Sequence, residues 1–196
     1  MISKIVDRIV MNQIKNNQIS YEDINIYKYG YIILMEVLTN IIIALVIGLA
    51  FKKLSMIIIF LVFFIPLRSF CGGWHADKFW KCTIFSNVIL VVEIIMFQYI
   101  EPYLSGYVLL ILFIVCMVIV IKIAPIETPQ KIIYENERKI YKRKIKIICG
   151  IHTITMIVMF AIMKIEIMFT LTYVYFVQVV LLFFEKKKCS RKHILQ

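Results

Sequence analysis

Acidic residues are scarce in this sequence, and its cysteines follow no regular spacing. The 196 residues contain 12 Asp and Glu against 23 Lys and Arg, which gives a formal net charge of +11. Five cysteines are scattered along the chain: Cys71, Cys82, Cys116, Cys149 and Cys189. Because several of them lie in or beside apolar runs, the pattern argues against a secreted protein held together by disulfides. The first twenty residues also lack the apolar core of a signal peptide, and the chain contains no internal repeat.

Apolar residues are abundant instead. They make up 62% of the chain, compared with roughly 45–50% in soluble domains, and the mean hydropathy is +0.87. A membrane-spanning helix needs about twenty apolar residues. Six stretches approach that length: 31–51, 54–70, 83–100, 103–124, 147–163 and 167–184. We therefore expect a single all-α membrane domain over residues 1–196, a bundle of six transmembrane helices in which neighbours pack as antiparallel hairpins.

The distribution of Lys and Arg predicts how the bundle is oriented. If both termini are cytoplasmic, the inner segments hold most basic residues: the N-terminal segment, Arg68, Lys78, Lys81, residues 122–146 and residues 186–192. The outer loops hold only Lys52, Lys53 and Lys164. We therefore expect both termini in the cytoplasm, with the positive charge attracted to the anionic inner leaflet of the bilayer. Nucleic acid is a poor partner for this charge, because the charge flanks helices and is not gathered on one soluble face.

Residues 1–29 are expected to form an interfacial segment that contains an amphipathic helix. Its apolar residues would share one face: Ile5, Val6, Ile9, Val10 and Ile14. Lys4, Arg8, Asn12 and Lys15 lie on the opposite face. Such a helix can anchor the first span against the membrane, or it can offer a docking surface to a second amphipathic helix.

Residues 125–146 form a basic cytoplasmic loop that is predicted to become helical. Thr128 suits an N-cap and Pro129 the first helical position, so that a charged helix runs from there into the fifth span. Its basic side chains include Arg138, Lys139, Lys142 and Arg143. The helix can be a solvated element at the inner leaflet, or it can bind an acidic peptide partner.

Residues 68–82 form a polar island between two long apolar runs, and the island contains His75 and Cys82. A Cys and a His together can form a thiol nucleophile with its base, since the imidazole removes the thiol proton and later protonates a leaving amine. Seven residues along a straight helix separate the two by about 10.5 Å, which is too far for a hydrogen bond. We therefore expect a break at Gly72-Gly73 and a new helix capped by Asp77, with Cys82 on its second turn.

Other interpretations of these residues stay open. His75 can be an interfacial loop residue and Cys82 a small core residue, while Cys71 is a rival nucleophile that ends an apolar span. Cys149 and His152 form a second Cys/His pair on one helical face, but no glycine loop or acid accompanies them. Two ligands do not make a structural zinc site, so no metal is expected.

The arrangement of Arg68, Gly73, His75 and Cys82 resembles the accessory gene regulator B (AgrB) family. The segment from Ala124-Pro125 to Pro129, the chain length, the basic character and the six-span layout are also similar to that family. The resemblance implies a membrane cysteine endopeptidase of Gram-positive quorum sensing. Such an enzyme cuts the C-terminal tail from an AgrD-type propeptide and helps to convert the rest to a cyclic thiolactone or lactone pheromone.

By the same resemblance, His75 is the catalytic base and Cys82 the nucleophile. Arg68 and Gly73 correspond to family positions that activity requires. The family also implies a homodimer in the cell membrane, an active site on the cytoplasmic side, and no cofactor. A rival hypothesis is a small six-span substrate-binding component of a transporter. Its site would lie among polar residues inside the spans, namely Glu36, Asn40, Glu93 and His152.

Overall fold

A computed structural model describes the fold of residues 2–16, 18–73, 79–126 and 135–194. Within these ranges the chain is helical and contains no strand. The helices are α1 (Ile2–Lys15), α2 (Ile24–Ala50), α3 (Leu54–Cys71), α4 (Phe79–Ile100), α5 (Gly106–Ile123), α6 (Glu135–Ala161) and α7 (Ile165–Ile194). Among the described residues, α2 to α7 are long and apolar enough to cross a membrane. The predicted all-α architecture with six spans is confirmed.

Several helices extend beyond the predicted spans. The helix α2 begins at Ile24, and α6 joins the basic segment and the fifth span in one helix of 27 residues. The helix α3 continues through Pro66 to Cys71, which places Arg68 in its last turn. The predicted cap at Thr128 and Pro129 lies outside the described residues.

The helix α7 lies at the centre of the bundle and packs against α3, α4, α5 and α6. In its most apolar stretch 72% of the residues are buried, against 11% to 28% in the other five spans. The outer helices therefore expose most of their apolar surface to lipid, and packing contacts and interhelical hydrogen bonds hold the bundle together. Tyr173 donates a hydrogen bond to the Ile89 carbonyl (3.0 Å) and Thr172 to the Leu109 carbonyl (3.3 Å).

The helix α1 packs its apolar face against the beginning of α2. Val6, Val10 and Ile14 are buried, and they form a small cluster with residues of α2 that include Met35. Gln13 Nε2 donates to the Tyr31 hydroxyl at 2.7 Å. The amphipathic helix is therefore present as predicted, and its apolar face is already covered by this chain.

The starts of α2, α4 and α6 and the ends of α3, α5 and α7 meet at one end of the bundle. This end carries many described basic residues, among them Lys28, Arg68, Lys81, Lys122, Arg138, Lys139, Lys142, Arg143, Lys144, Lys146, Lys186 and Lys187. The opposite end carries Lys52, Lys53 and Lys164. We call the first the basic end. That it faces the cytoplasm stays a prediction.

Candidate active site at the basic end

Arg68 and Cys82 lie on two helices that flank the predicted loop. Arg68 is in the last turn of α3, and Cys82 is the fourth residue of α4, which begins at Phe79. Both helices thus extend into the expected segment 68–82. His75 and Asp77 lie outside the described residues, so the expected approach of His75 to Cys82 stays a prediction.

The break predicted at Gly72-Gly73 is where α3 ends. Gly72 has a φ of 72° and Gly73 a φ of 131°, a region of backbone conformation that favours glycine. A Cβ atom on Gly72 would lie 2.8 Å from the Ile126 carbonyl oxygen. A Cβ atom on Gly73 would lie 2.9 Å from Nη1 of Arg68 and 3.3 Å from Cβ of Leu181. Both glycines therefore allow close approaches that a side chain would block.

Neighbouring elements hold this turn through backbone groups. The Ile126 amide, just after α5, donates to the Cys71 carbonyl at 3.1 Å. Gln178 of α7 donates from Nε2 to the Gly72 carbonyl at 2.9 Å. Because α7 is the most buried helix, the second contact ties the turn to the centre of the bundle.

The guanidinium of Arg68 interacts electrostatically with the side chains of Cys82, Glu185 and Cys71. Its Nη1 atom is shielded from solvent, and the group lies over the Phe64 ring at 5.9 Å from its centroid. A cation held in this way can stabilise negative charge on a nearby sulfur or on the oxygen of a substrate carbonyl. The structure thus brings together three of the four residues that carry the family resemblance, namely Arg68, Gly73 and Cys82.

Cys82 is a half-buried free thiol with polar neighbours. The carboxyl group of Glu36 on α2 and the hydroxyl of Ser86, one turn further along α4, lie close to its sulfur. The Ser86 hydroxyl can donate a hydrogen bond to the sulfur. Cys82 therefore lies among polar groups, unlike a core cysteine that is packed only by apolar groups. We call Glu36, Arg68, Cys82 and Ser86 the Cys82 cluster.

The second Cys/His pair lies inside the bundle. His152 Nδ1 is 3.1 Å from the Tyr175 hydroxyl, and its ring packs edge-on against Phe63. The thiol of Cys149 lies close to the same Tyr175 hydroxyl. Since Cys149, His152 and Tyr175 are all buried, this pair forms a structural polar contact between α6 and α7.

The polar residues named in the transporter hypothesis do not gather at one site. Glu36 contacts Cys82, and Asn40 accepts a hydrogen bond from Asn87 at 3.4 Å. Glu93 is fully buried on α4, and neither of its carboxyl oxygens has a hydrogen-bond partner, while His152 lies within hydrogen-bond distance of Tyr175. In the described parts of the chain, no group of three or more His, Cys, Asp or Glu side chains could hold a metal ion.

The basic part of α6 lies beside the end of α3. Tyr141 contacts the ring of Phe70 with centroids 5.8 Å apart, and Lys144 Nζ lies 4.8 Å from the centroid of the same ring. The four expected substrate-binding residues, Arg138, Lys139, Lys142 and Arg143, are exposed on this helix. A cavity of about 250 Å³ between α5 and α6 is lined by Ile121, Ala124, Lys142, Ile145 and Lys146.

Sequence reasoning missed several residues of the site. The sequence identifies Glu36 as an ionisable residue inside a span, but it does not show that Glu36 lies close to Cys82. Ser86 lies four residues after Cys82, a spacing that puts both on one helical face. Gln178 and Glu185 are buried polar residues on α7, and a polar residue inside an apolar run is the signal that could have identified Gln178.

Comparison with known proteins identifies a protein family that matches this chain. The model of the accessory gene regulator B family matches residues 2–183. Two proteins of Clostridium perfringens, from strain 13 and strain SM101, are named AgrB-like and are each 27% identical to the chain over 143 residues. Each match covers 70% of this chain and 65% of the relative's length, so the chain spans slightly less than two thirds of these relatives. No solved structure matches the chain.

Proposed function

Because this chain belongs to the accessory gene regulator B family, we propose that it is a membrane-embedded cysteine endopeptidase that processes an AgrD-type propeptide. The family acts in the accessory gene regulator system of quorum sensing, and the six apolar helices fit a multi-pass membrane protein. In the proposed reaction the enzyme removes the C-terminal tail of the propeptide and promotes cyclisation of the remainder to a thiolactone or lactone.

The Cys82 cluster is the observation that carries this proposal. A thiol with hydrogen-bonding side chains lies within electrostatic reach of Arg68, and Gly73 leaves room for the guanidinium. His75 follows Gly73 by two residues in the sequence and is the candidate base. Arg68 would stabilise the negative charge that develops when the thiolate attacks a carbonyl carbon.

The mechanism needs no cofactor. The sulfur of Cys82 attacks the carbonyl at the processing site, the carbon–nitrogen bond breaks, and the tail leaves with a proton on its new amine. A peptidyl thioester on Cys82 remains. A thiol or hydroxyl of the same peptide then attacks this thioester, which closes the ring and frees Cys82. An oriented internal nucleophile can outcompete water through effective molarities of up to about 10⁵–10⁸ M.

The substrate would meet the enzyme at the basic end. The exposed basic residues of α6 lie beside α3 through the contacts of Tyr141 and Lys144 with Phe70, so an acidic tail bound there lies near the end of the helix that carries Arg68. We place the basic end on the cytoplasmic side of the cell membrane of a Gram-positive bacterium, against anionic lipid. A homodimer stays a prediction from the family.

Cleavage of a candidate propeptide by the purified full chain tests the proposal. Replacing Cys82 by Ala or His75 by Ala should abolish cleavage, as measured by mass spectrometry of the peptide, while the protein still inserts and purifies. Cys116→Ala is the matched control, because this half-buried thiol on α5 lies outside the Cys82 cluster, and it should retain activity. Cleavage by Cys82→Ala would contradict the proposal, as would an inactive Cys149→Ala variant that folds normally.

A further inference from the structure

Two carboxyl groups and a hydroxyl group lie between α4 and α7, away from the Cys82 cluster. Glu93 and Thr170 are fully buried, and Glu166 is half-buried in the first turn of α7. Both carboxyl oxygens of Glu93, Oε1 of Glu166 and Oγ1 of Thr170 are shielded from solvent and have no hydrogen-bond partner among the described residues. Almost all buried polar atoms in proteins are paired, so these orphaned oxygens require an explanation.

Contacts on either side of Glu93 show that it faces α7. The Tyr173 hydroxyl donates to the Ile89 carbonyl, one turn before Glu93, at 3.0 Å. The ring of Phe97, one turn after Glu93, packs against the ring of Phe169 with centroids 5.3 Å apart. Residues four apart on a helix share one face. Glu93 therefore lies opposite the part of α7 between Phe169 and Tyr173.

Thr170 and Glu166 lie on the matching face of α7. They share it with the rings of Phe169 and Tyr173, because residues three and four apart on a helix are neighbours. Since α4 and α7 run in opposite directions, Thr170 lies at the level of Glu93. Glu166 lies one turn nearer the end of the bundle that is opposite the basic end. The orphaned oxygens therefore gather in one place at this interface.

Two neighbouring groups that could pair with Glu93 are engaged elsewhere. The hydroxyl proton of Tyr173 goes to the Ile89 carbonyl. Nζ of Lys53 lies over the Phe97 ring, 4.9 Å from its centroid, and makes no hydrogen bond with Glu93. Two carboxylates at one buried interface repel each other, and an ionised side chain inside an apolar span is costly without a partner. The interface thus offers negatively charged oxygen ligands without a described donor to pair with them.

The chemistry of these ligands favours a small monovalent cation. Oxygen ligands suit hard cations, and a divalent ion such as Ca²⁺ takes about six to eight of them. In the part of the chain that the structure describes, no group of three or more His, Cys, Asp or Glu side chains could hold a metal ion. Two carboxylates and a hydroxyl therefore fit a single positive charge better than a double one. Because we place the basic end in the cytoplasm, this end of the bundle faces outside, where Na⁺ is the common monovalent cation.

We propose that Glu93, Glu166 and Thr170 form a binding site for Na⁺ between α4 and α7. Oxygens of both carboxylates and of the hydroxyl coordinate the ion, which offsets their charge and holds α4 against the central helix. Glu166 is ionised readily, because the first turn of a helix favours a carboxylate. The site is separate from the proposed peptidase chemistry, since Glu93 follows Cys82 on α4 by eleven residues, about 16.5 Å along the axis.

Thermal unfolding of the full-length protein in nanodiscs of zwitterionic lipid tests the site. NaCl should raise Tm relative to choline chloride at equal ionic strength, because an ion that binds only the folded protein stabilises it. At a concentration about tenfold above Kd, the shift should be about 3–6 °C. Glu93→Gln should abolish the shift, and Thr170→Val should reduce it. Glu101→Gln is the matched control, because it removes an exposed carboxylate at the same end of the bundle, and it should keep the full shift.

Line broadening of the ²³Na NMR signal measures binding directly in the same samples. The wild type and Glu101→Gln should broaden the signal, and Glu93→Gln should not. Equal Tm in NaCl and choline chloride would overturn the site, as would equal broadening by Glu93→Gln and the wild type. A Tm that rises on acidification but not with Na⁺ would assign a proton to Glu93 and would also overturn it. Neither measurement uses a propeptide, so a failure of the Na⁺ site and a failure of the peptidase function are distinguishable.

Discussion

At Gly73 the absence of a side chain leaves room for the guanidinium of Arg68. The backbone conformation of this residue disfavours a Cβ atom, and a Cβ placed there would lie 2.9 Å from Nη1 of Arg68. Arg68 in turn interacts with Cys82 and Glu185. A side chain at this position would therefore disturb Arg68 and, through Arg68, the proposed nucleophile Cys82.

Gly73→Ala should impair catalysis through this contact. The substitution adds backbone strain of about 1–3 kcal/mol and pushes Arg68 away from Cys82, so we expect kcat for propeptide cleavage to fall at least tenfold. Gly150→Ala is the matched control, because a Cβ on Gly150 of α6 meets no atom within 4 Å. It should keep full activity and add about 0.5–1 kcal/mol of helix stability. Equal activity in the two variants, measured by the cleavage assay, would contradict the assigned role of Gly73.

Some residues of the candidate site could be predicted from the sequence and others could not, for a physical reason. Cys82 was predictable from its pairing with His75, Arg68 and Gly73 were assigned through the family resemblance, and a break at Gly72-Gly73 follows from helical geometry. The contact between Glu36 and Cys82 joins residues that are 46 positions apart in the sequence. Such a contact depends on the register of α2 against α4, which apolar periodicity does not determine.

At the scale of helices, α6 is one continuous helix with an exposed part and a part that packs in the bundle. Its first part is basic and exposed, while Ile145 and Cys149 are buried against the rest of the bundle. Tyr141 and Lys144 contact Phe70 on α3. A rigid helix that begins outside the apolar region therefore holds its positive charges in a fixed place relative to Arg68.

Replacing Arg138, Lys139, Lys142 and Arg143 together by Gln should weaken substrate binding. We expect KM for the propeptide to rise more than kcat falls, because these residues would act in binding the acidic tail. Added salt should produce the same loss in the wild type, since exposed charges are screened over about 8 Å at physiological ionic strength. Lys52→Gln with Lys164→Gln, at the opposite end of the bundle, is the control and should leave KM unchanged. An unchanged KM in the quadruple variant would limit the basic part of α6 to contact with the membrane surface.

At the scale of the whole molecule, the six spans were predictable from apolar length alone, but the arrangement around α7 was not. Membrane helices are apolar on lipid-facing and protein-facing sides alike, so composition does not reveal which helix is central. The buried polar residues of α7, such as Gln178 and Glu185, are the sign of its position. They become interpretable only when their partners on other helices are known.

The orientation of the molecule can be tested with a membrane-impermeant thiol reagent on intact cells. The distribution of basic residues predicts that native Cys82 and Cys189 are protected, because both belong to the basic end and its C-terminal tail. A cysteine at the exposed position of Lys164, in the turn between α6 and α7, should react from outside. Labelling of Cys189 in sealed cells, detected by mass spectrometry, would reverse the orientation and place the Cys82 cluster outside.

The central position of α7 also determines when the candidate site can form during synthesis of the chain. Ribosomes deliver a chain from its N-terminus, so α2 to α6 enter the bilayer before the helix that they will surround. Until α7 arrives, the Gly72-Gly73 turn lacks the amide of Gln178, and Arg68 lacks the carboxylate of Glu185. A nascent chain thus carries the proposed catalytic residues without a formed site. Under the proposed peptidase function, we expect proteolysis to begin only when synthesis of α7 is complete, so that unfinished chains in the same membrane do not consume the propeptide.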